Sequence, residues 1–400
     1  MFVERVKGFI KATIGHRNFK RFAPLAAMAL VAVITFATCL SGQTPIPEQE
    51  PEPPDVIESP PSVEPTTSPT PSPDPDPDPD PDPDPDIPEP LGPFNPLTGI
   101  ATEDDISGRR PLAVVIGNCR DSQPQVGVSQ ADIIYEVLVE GGITRMLALY
   151  QDATEAGRIG SIRSARTYTV DIAQSYDAIF IFAGGSPQAY SAVRNRGITH
   201  FDELGGFGGE IFNRDSNRRA QLGMLHCLVT SGDRIARNFP SYTSIRQEHA
   251  AGYERALSFT DDGTPEDGAD ALGITVRFGP NLKTTSFSFD EETGTYNARQ
   301  YGSAYIDGND RTPVAVTNIL ILRMTTAGIP GDTEGRLNIT TTGRGTGYYI
   351  NGGSYVEIEW SRENESAQFV YTLTDGSELL LGRGRSYICI IRTNGEVSFS

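Results

Sequence analysis

The chain has 400 residues, 33 basic and 52 acidic side chains, and a formal net charge of −19 at pH 7. Residues 43–90 carry 19 of the 30 prolines and 14 acidic side chains, without any Lys or Arg. Such a segment cannot bury a hydrophobic core. About 310 residues are left for globular structure, enough for roughly two domains. Their mildly acidic balance argues against a nucleic-acid partner, which needs a clustered positive field.

Residues 1–42 have the pattern of an export signal or a membrane anchor. Six basic side chains precede an uncharged run of 18 residues, 23–40. As a helix this run would rise about 27 Å, close to the thickness of a hydrocarbon layer of about 30 Å. Two interpretations stay open, namely cleavage with lipidation at Cys39, which follows the small residues Ala37 and Thr38, or a retained anchor. Both attach the chain to the cytoplasmic membrane and place later residues on its extracytoplasmic face.

Residues 43–94 are predicted to form a disordered stalk. In residues 73–86 proline alternates with aspartate, so every second residue has a fixed φ and no donor N–H. Neither a helix nor a sheet tolerates this pattern, and the like charges repel each other. We expect an extended spacer of polyproline type.

Residues 95–265 are predicted to form an α/β domain. Short apolar runs bounded by glycine or proline indicate strands, and apolar positions at helical spacing indicate helices. A hairpin is expected around Glu140 to Ile143. The predicted strands are 112–116, 131–139, 145–150 and 178–182, and the predicted helices are 165–176, capped by Ser164, 187–193 and 231–237.

Residues 270–400 have a different residue pattern, in which β-branched and aromatic residues alternate with polar ones. Turn dipeptides such as Asn351-Gly352 and Asp375-Gly376 separate these runs. A mainly antiparallel β domain is therefore expected, and the whole chain is predicted to have an α+β fold.

The densest polar cluster that could bind a ligand lies between residues 158 and 166. Arg163 and Arg166 are three positions apart, so at a helix start they would lie on one side, beside free backbone N–H groups. This geometry suits a carboxylate or a phosphate. An alternative is that the arginines pair with Glu136, Glu140 or Asp171 and hold two layers together. The predicted ligand-binding residues are Arg145, Arg163, Ser164, Arg166, Gly184, Gly185, Ser186 and His226.

The histidines and cysteines give weaker signals. His226 adjoins Cys227, but neighbouring side chains in a strand point apart, which argues against a thiol protease built from these two. His200 with Asp202 could act as an acid/base pair or ligate a metal, although such residues more often cap or tie loops. No pair of cysteines has metal-binding spacing, so neither a metal site nor a cofactor is predicted. Cys119, Cys227 and Cys389 leave one disulfide open as an alternative to buried free thiols.

Several segments together resemble the YerB-like lipoproteins of Gram-positive bacteria, whose paired domains have no assigned function. The resemblance extends from about residue 95 to the end, and it implies an α/β domain, a β-rich domain and anchoring to the cell envelope. It implies no reaction. Residues 221–225 depart from the family pattern just before His226. The matching segments are residues 110–116, 125–145, 159–166, 176–188, 347–349, 360, 375–376 and 384–390.

Three functions are consistent with the sequence. The first is a surface-tethered binding protein that recognises an anionic envelope component through the arginine and glycine cluster. The second is an envelope hydrolase or transferase with His226 or His200 as the base. The third is a scaffold that binds another envelope protein through the β domain.

Overall fold

The computed structural model describes residues 92–400. The predicted anchor, the lipidation site at Cys39 and nearly all of the predicted stalk lie outside the described residues. Within the described part, no helix is both long enough and apolar enough to cross a membrane.

The described chain contains many strands and few helices, which confirms the α+β prediction. In chain order the strands are β1 (Leu112–Asn118), β2 (Ile133–Leu138), β3 (Thr144–Tyr150), β4 (Arg158–Gly160), β5 (Ile179–Phe182), β6 (His200–Asp202), β7 (Asn213–Arg214), β8 (Leu228–Ser231), β9 (Phe259–Thr260), β10 (Ala269–Asp270), β11 (Gly273–Arg277), β12 (Thr284–Asp290), β13 (Thr295–Gln300), β14 (Ser303–Ala304), β15 (Ala315–Val316), β16 (Asn318–Met324), β17 (Thr326–Gly328), β18 (Leu337–Ile339), β19 (Gly343–Asn351), β20 (Ser354–Arg362), β21 (Val370–Leu373), β22 (Leu381–Gly382), β23 (Ser386–Arg392) and β24 (Glu396–Phe399). The α-helices are α1 (Thr167–Ser175), α2 (Pro187–Asn195), α3 (Gly208–Ile211), α4 (Ser216–Leu222) and α5 (Gly232–Asn238).

One 11-stranded sheet runs through both halves of the described chain, in the order β10-β20-β19-β16-β23-β2-β3-β1-β5-β6, with β21 on β20. The predicted hairpin is present, because β2 and β3 pair antiparallel. The late strand β23 lies between β16 and β2 and is parallel to both. The strands of residues 95–265 and 270–400 therefore share one set of backbone hydrogen bonds.

The central strands of this sheet are buried on both faces, which explains why they read as nearly continuous apolar runs; these strands are β1, β2, β3, β5, β16 and β23. On β1, Val114 and Ile116 face one core, while Ala113 and Val115 face the other. A six-stranded sheet in the order β14-β13-β12-β11-β24, with β15 on β13, contributes to the first core. Helix α1 contributes Tyr168 and other side chains to the second.

Helix α1 begins later than the sequence indicated. Its first residue is Thr167, and Arg166 rather than Ser164 is at the N-cap position, with an extended backbone of φ −126° and ψ 157°. The reason is that the preceding residues bond to neighbouring strands. Arg163 N donates to Val115 O at 2.9 Å, and Ala165 N donates to Gly184 O at 2.9 Å. Strand-like pairing thus replaces the first helical turn.

Candidate functional site

Arg163 lies in the extended segment between β4 and α1, across the end of β1. Its backbone N–H donates to Val115 O at 2.9 Å, and its backbone carbonyl accepts from Ala183 N at 3.0 Å. Its side chain crosses Gly117 so closely that a Cβ at Gly117 would lie 2.8 Å from Arg163 Cγ. Glycine at position 117 therefore provides the space in which the arginine stem lies.

The guanidinium of Arg163 has no hydrogen-bond or ion-pair partner among residues 92–400. The side chain is half-buried, its stem packs over Gly117, and its charge forms no ion pair within this part of the chain. An arginine in this state can donate to an external carboxylate or phosphate.

His226 lies beside Arg163 and ends a short turn, Met224–His226. It is 8% exposed. Burial lowers the pKa of His226, and the positive charges of Arg163 and Arg218 lower it further, while Asp121 opposes them. The imidazole is therefore neutral at neutral pH and able to accept a proton.

Cys119 follows the last residue of β1, and its thiol lies near His226 although the two residues are far apart in the sequence. Its Sγ is 4.0 Å from His226 Nδ1. The backbone carbonyl of His226 accepts hydrogen bonds from Ser161 Oγ at 2.6 Å and from Arg218 Nε at 3.3 Å. These bonds fix the loop that carries the imidazole. Cys119, Arg163 and His226 thus form one cluster, which we call the β1-end site.

Sequence reasoning missed Cys119 as a member of this site. Cys119 and His226 are 107 positions apart, so their spacing in the sequence does not indicate a pair. The cysteine adjacent to His226 in the sequence is Cys227. Cys227 is fully buried and its Sγ donates to Met224 O at 3.3 Å. The sequence does give one indication of a functional role for Cys119, because this residue comes directly after the polar end of a buried strand.

Arg145 and Arg166 occupy a second location and share one carboxylate. Arg166 Nε donates to Glu140 Oε2 at 3.1 Å, and a second Arg166 nitrogen bonds Glu140 Oε1. An Arg145 nitrogen lies 3.7 Å from the same Oε1 and another donates to Ser164 O at 2.6 Å. Burial, together with the nearby charge of Arg166, lowers the pKa of Arg145 to about 10. The structure therefore engages Arg166 with Glu140, one of the partners considered above, while the charge of Arg163 lies close enough to act on Arg145.

The other two acids named as alternative partners bind elsewhere. Asp171 pairs with Arg196, with 2.6 Å between the charged atoms. Glu136 pairs with Lys283.

The glycine turn after β5 is occupied by the protein's own groups. Gly184 N donates to Asp202 Oδ1 at 2.8 Å, and Ser186 N donates to Ala165 O at 3.2 Å. Ser186 Oγ accepts from Ala189 N at 3.1 Å and caps α2, with Pro187 as the first helical residue. Gly185 forms a parallel bridge to Ala165. These contacts connect the turn to the segment that carries Arg163.

His200 and Asp202 have structural partners. His200 Nδ1 lies 2.8 Å from Ile198 O, and its ring stacks on Phe182 at a centroid distance of 5.6 Å. Asp202 accepts from Tyr190 OH at 2.9 Å as well as from Gly184 N. Within residues 92–400, no group of three or more His, Cys, Asp or Glu side chains is arranged to hold a metal ion.

The three cysteines of the described segment are free thiols. Cys227 and Cys389 are fully buried, and Cys119 is partly exposed. Cys119 is therefore the thiol through which this part of the chain can meet solutes.

A buried polar cluster adjoins the β1-end site. Asn118 Nδ2 donates to Glu136 Oε1 at 2.9 Å, and Gln125 Nε2 donates to Asn118 Oδ1 at 3.0 Å. Gln125 is fully buried, and its Oε1 has no hydrogen-bond partner in the described chain. Asn118, the residue that precedes Cys119, thus connects the β1-end site to the buried carboxylate of Glu136.

The fold and this site define an α+β protein in which two consecutive segments complete one central sheet, with a thiol, an imidazole and a guanidinium at the end of one strand. Residues 97–244 match the N-terminal domain, and residues 274–388 the C-terminal domain, of a family described as "Protein of unknown function (DUF3048)". The chain belongs to this family, which confirms the resemblance to YerB-like proteins.

Two comparisons with YerB of Bacillus subtilis, one of sequence and one of structure, support the assignment. The protein named "Putative lipoprotein YerB" of Bacillus subtilis (strain 168) is 31% identical over 309 residues, which cover 76% of this chain and 88% of the relative. A crystal structure of the YerB protein from Bacillus subtilis superimposes with a TM-score of 0.64 at 28% identity, covering 76% of this chain and 99% of that one. The relative's name describes a lipoprotein and assigns no ligand.

Proposed function

We propose that this protein is a membrane-tethered binding protein of the extracytoplasmic face, and that its β1-end site recognises an anionic group. The observation that carries the proposal is the state of Arg163. Its guanidinium has no carboxylate partner within residues 92–400, whereas Glu140 already engages Arg145 and Arg166.

The surroundings of Arg163 favour an anion at short range. Arg218 is buried close by and bonds only neutral groups among the described residues, including Pro124 O at 2.8 Å and Ser161 Oγ at 3.1 Å. Two guanidinium charges therefore lie near His226, and Asp121 is the acid that opposes them. The chain's overall negative charge repels anions at long range, but salt screens that effect over about 10 Å.

Tethering is supported by the sequence and by the lipoprotein relative. The uncharged run at residues 23–40 and Cys39 provide two routes to the membrane, and residues 43–90 would act as a spacer. On this proposal the ligand is a carboxylated or phosphorylated component of the cell envelope.

Isothermal titration of the full-length protein in detergent micelles, with inorganic phosphate and with succinate as probes, tests the binding site. We expect Arg163→Gln to weaken affinity at least about tenfold, because it removes charge-assisted hydrogen bonds. Arg219→Gln is the matched control, since Arg219 is an exposed arginine on α4. Equal affinities for the wild type and Arg163→Gln would contradict the proposal.

A further inference from the structure

We infer that Cys119 is a nucleophile and His226 its base, and that the β1-end site accepts a carboxylic ester whose acyl part carries a second, anionic group. The anionic group would bind Arg163, so this inference rests on the proposed function. It goes beyond that function because it assigns bond-making chemistry and a class of substrate.

The geometry favours this pair among the residues described. Cys119 Sγ and His226 Nδ1 are 4.0 Å apart, at the outer limit of a hydrogen bond that involves sulfur, and such contacts are often long in the absence of substrate. The thiol is partly exposed, whereas Cys227 and Cys389 are fully buried. A substrate in solution can therefore reach Cys119 without any opening of the core.

The position of His226 suits a base rather than an acid in the resting state. Burial and the charges of Arg163 and Arg218 lower the pKa of His226 against the opposing effect of Asp121, so the imidazole beside Cys119 is unprotonated at neutral pH. Its backbone carbonyl is tied to Ser161 and Arg218, so the ring is presented from a fixed loop. Neutral imidazole next to a thiol is the arrangement that nucleophilic cysteine chemistry requires.

The reaction is acyl transfer in two balanced steps. His226 takes the proton of the Cys119 thiol, the sulfur bonds to the ester carbonyl carbon, and the carbon–oxygen bond to the alcohol breaks. The leaving alkoxide receives the proton from the imidazolium. Water then attacks the thioester with His226 as base, releasing the carboxylic acid and restoring the thiol. No oxidant, reductant or metal takes part.

The test uses two esters that differ by one carboxylate, 4-nitrophenyl hydrogen succinate and 4-nitrophenyl acetate. Full-length, reduced protein in detergent micelles is mixed with each ester. Release of 4-nitrophenol is followed by absorbance, and the protein-free rate of each ester is subtracted, because the carboxylate of the succinate ester also attacks its own carbonyl. The acylated residue is identified by peptide mass spectrometry. We expect one succinyl group on Cys119 and faster reaction with the succinate ester.

The variants separate the roles of the three residues. Cys119→Ser should abolish labelling at position 119, and His226→Gln should slow acylation about 100-fold with both esters, as loss of a general base does. Arg163→Gln should lower the ratio of the succinate rate to the acetate rate about tenfold, because only the succinate ester carries the carboxylate that Arg163 would bind. His200→Gln and Arg219→Gln are the matched controls, and circular dichroism melting of each variant checks that it is folded.

Two outcomes distinguish this inference from the proposed function. If succinate binds in an Arg163-dependent way but no acyl group appears on Cys119, the binding function stands and the inference is overturned. If Cys119 is acylated equally by both esters and Arg163→Gln changes neither succinate affinity nor rate, the anionic substrate class and the proposed function are both wrong. Rates for His226→Gln equal to those for His200→Gln would exclude His226 as the base.

Discussion

Lys283 and Glu136 form a buried ion pair, with 3.3 Å between Lys283 Nζ and Glu136 Oε1 and side-chain exposures of 2% and 0%. Glu136 is on β2, and Lys283 immediately precedes β12 in the covering sheet. The pair therefore joins the two family segments by charge as well as by the β2–β23 backbone pairing.

Further hydrogen bonds complete the surroundings of Glu136. Burial opposes its ionisation, but the charge of Lys283 and hydrogen bonds from Thr144, Tyr387 and Thr285 outweigh it and lower the pKa of Glu136. Tyr387 OH and Thr285 Oγ1 donate to Oε2 at 2.7 and 2.8 Å. The carboxylate is thus charged in the folded protein and satisfied on both oxygens.

Replacing Lys283 by methionine should destabilise the protein by about 3–5 kcal/mol, because the variant leaves a buried carboxylate without its cation. Chemical denaturation of the full-length protein measures the change. Arg277→Met provides the control, since Arg277 and Glu396 form a largely exposed pair whose loss should cost less than about 1 kcal/mol. Similar losses for the two variants would mean that Lys283 does not compensate Glu136.

The lowered pKa of Glu136 gives a pH dependence with a definite sign. A carboxyl whose pKa is lower when folded stabilises the protein above its unfolded pKa, and that contribution is lost as the pH falls. We expect the difference in unfolding free energy between wild type and Glu136→Gln to shrink below the ordinary pKa of 4.5. Urea denaturation between pH 3 and pH 7 tests this, and a constant difference across that range would contradict it.

Asp132 should behave in the opposite way. Its burial raises its pKa to about 6, although Gln151 N and Asn95 Nδ2 donate to it at 2.6 and 2.9 Å. A carboxyl with a raised folded pKa loses stability as the pH rises from its unfolded to its folded pKa. From pH 5 to pH 7 the wild type should therefore lose about 1 kcal/mol relative to Asp132→Asn. The same denaturation series measures this, and a relative gain would show that Asp132 is stabilised as the anion.

Gly117→Ala tests the position of Arg163 without changing any charge. The new Cβ would lie 2.8 Å from Arg163 Cγ, and the flexible arginine stem must move away because the strand backbone cannot. We expect at least about threefold weaker binding of succinate, with little change in stability. Isothermal titration and thermal melting measure the two effects. Gly209→Ala, where no atom lies within 4 Å of the added Cβ, is the control.

Arg166→Gln should affect folding rather than ligand binding. The change leaves Glu140 with Arg145 as its remaining partner, at 3.7 Å, in a partly buried location. We expect a loss of about 1–3 kcal/mol in unfolding free energy and unchanged succinate affinity. A loss of affinity as large as that of Arg163→Gln would place Arg166 in the binding site.

The location of many elements followed from local sequence. Apolar runs between glycine and proline predicted β1, β3 and β5 to within one or two residues at most ends, because a buried strand needs apolar side chains on both faces. The turn that ends at Pro187 indicated the start of α2 for a similarly local reason, whereas the capping role of Ser186 was not predicted. The start of α1 was placed too early, since long-range backbone pairing of Arg163 and Ala165 competes with the first helical turn.

Local pattern thus determined the α+β class, the β2–β3 hairpin and the choice of Arg163 and His226 as candidates, because each depends on residue type and short spacing. Long-range packing sets three further features: β23 lies against β2, Glu140 rather than a ligand engages Arg166, and Cys119 lies next to His226. These contacts join residues 26 to 251 positions apart, and one sequence holds no periodic signal at such separations. Packing of the two sheets and the helices brings them together.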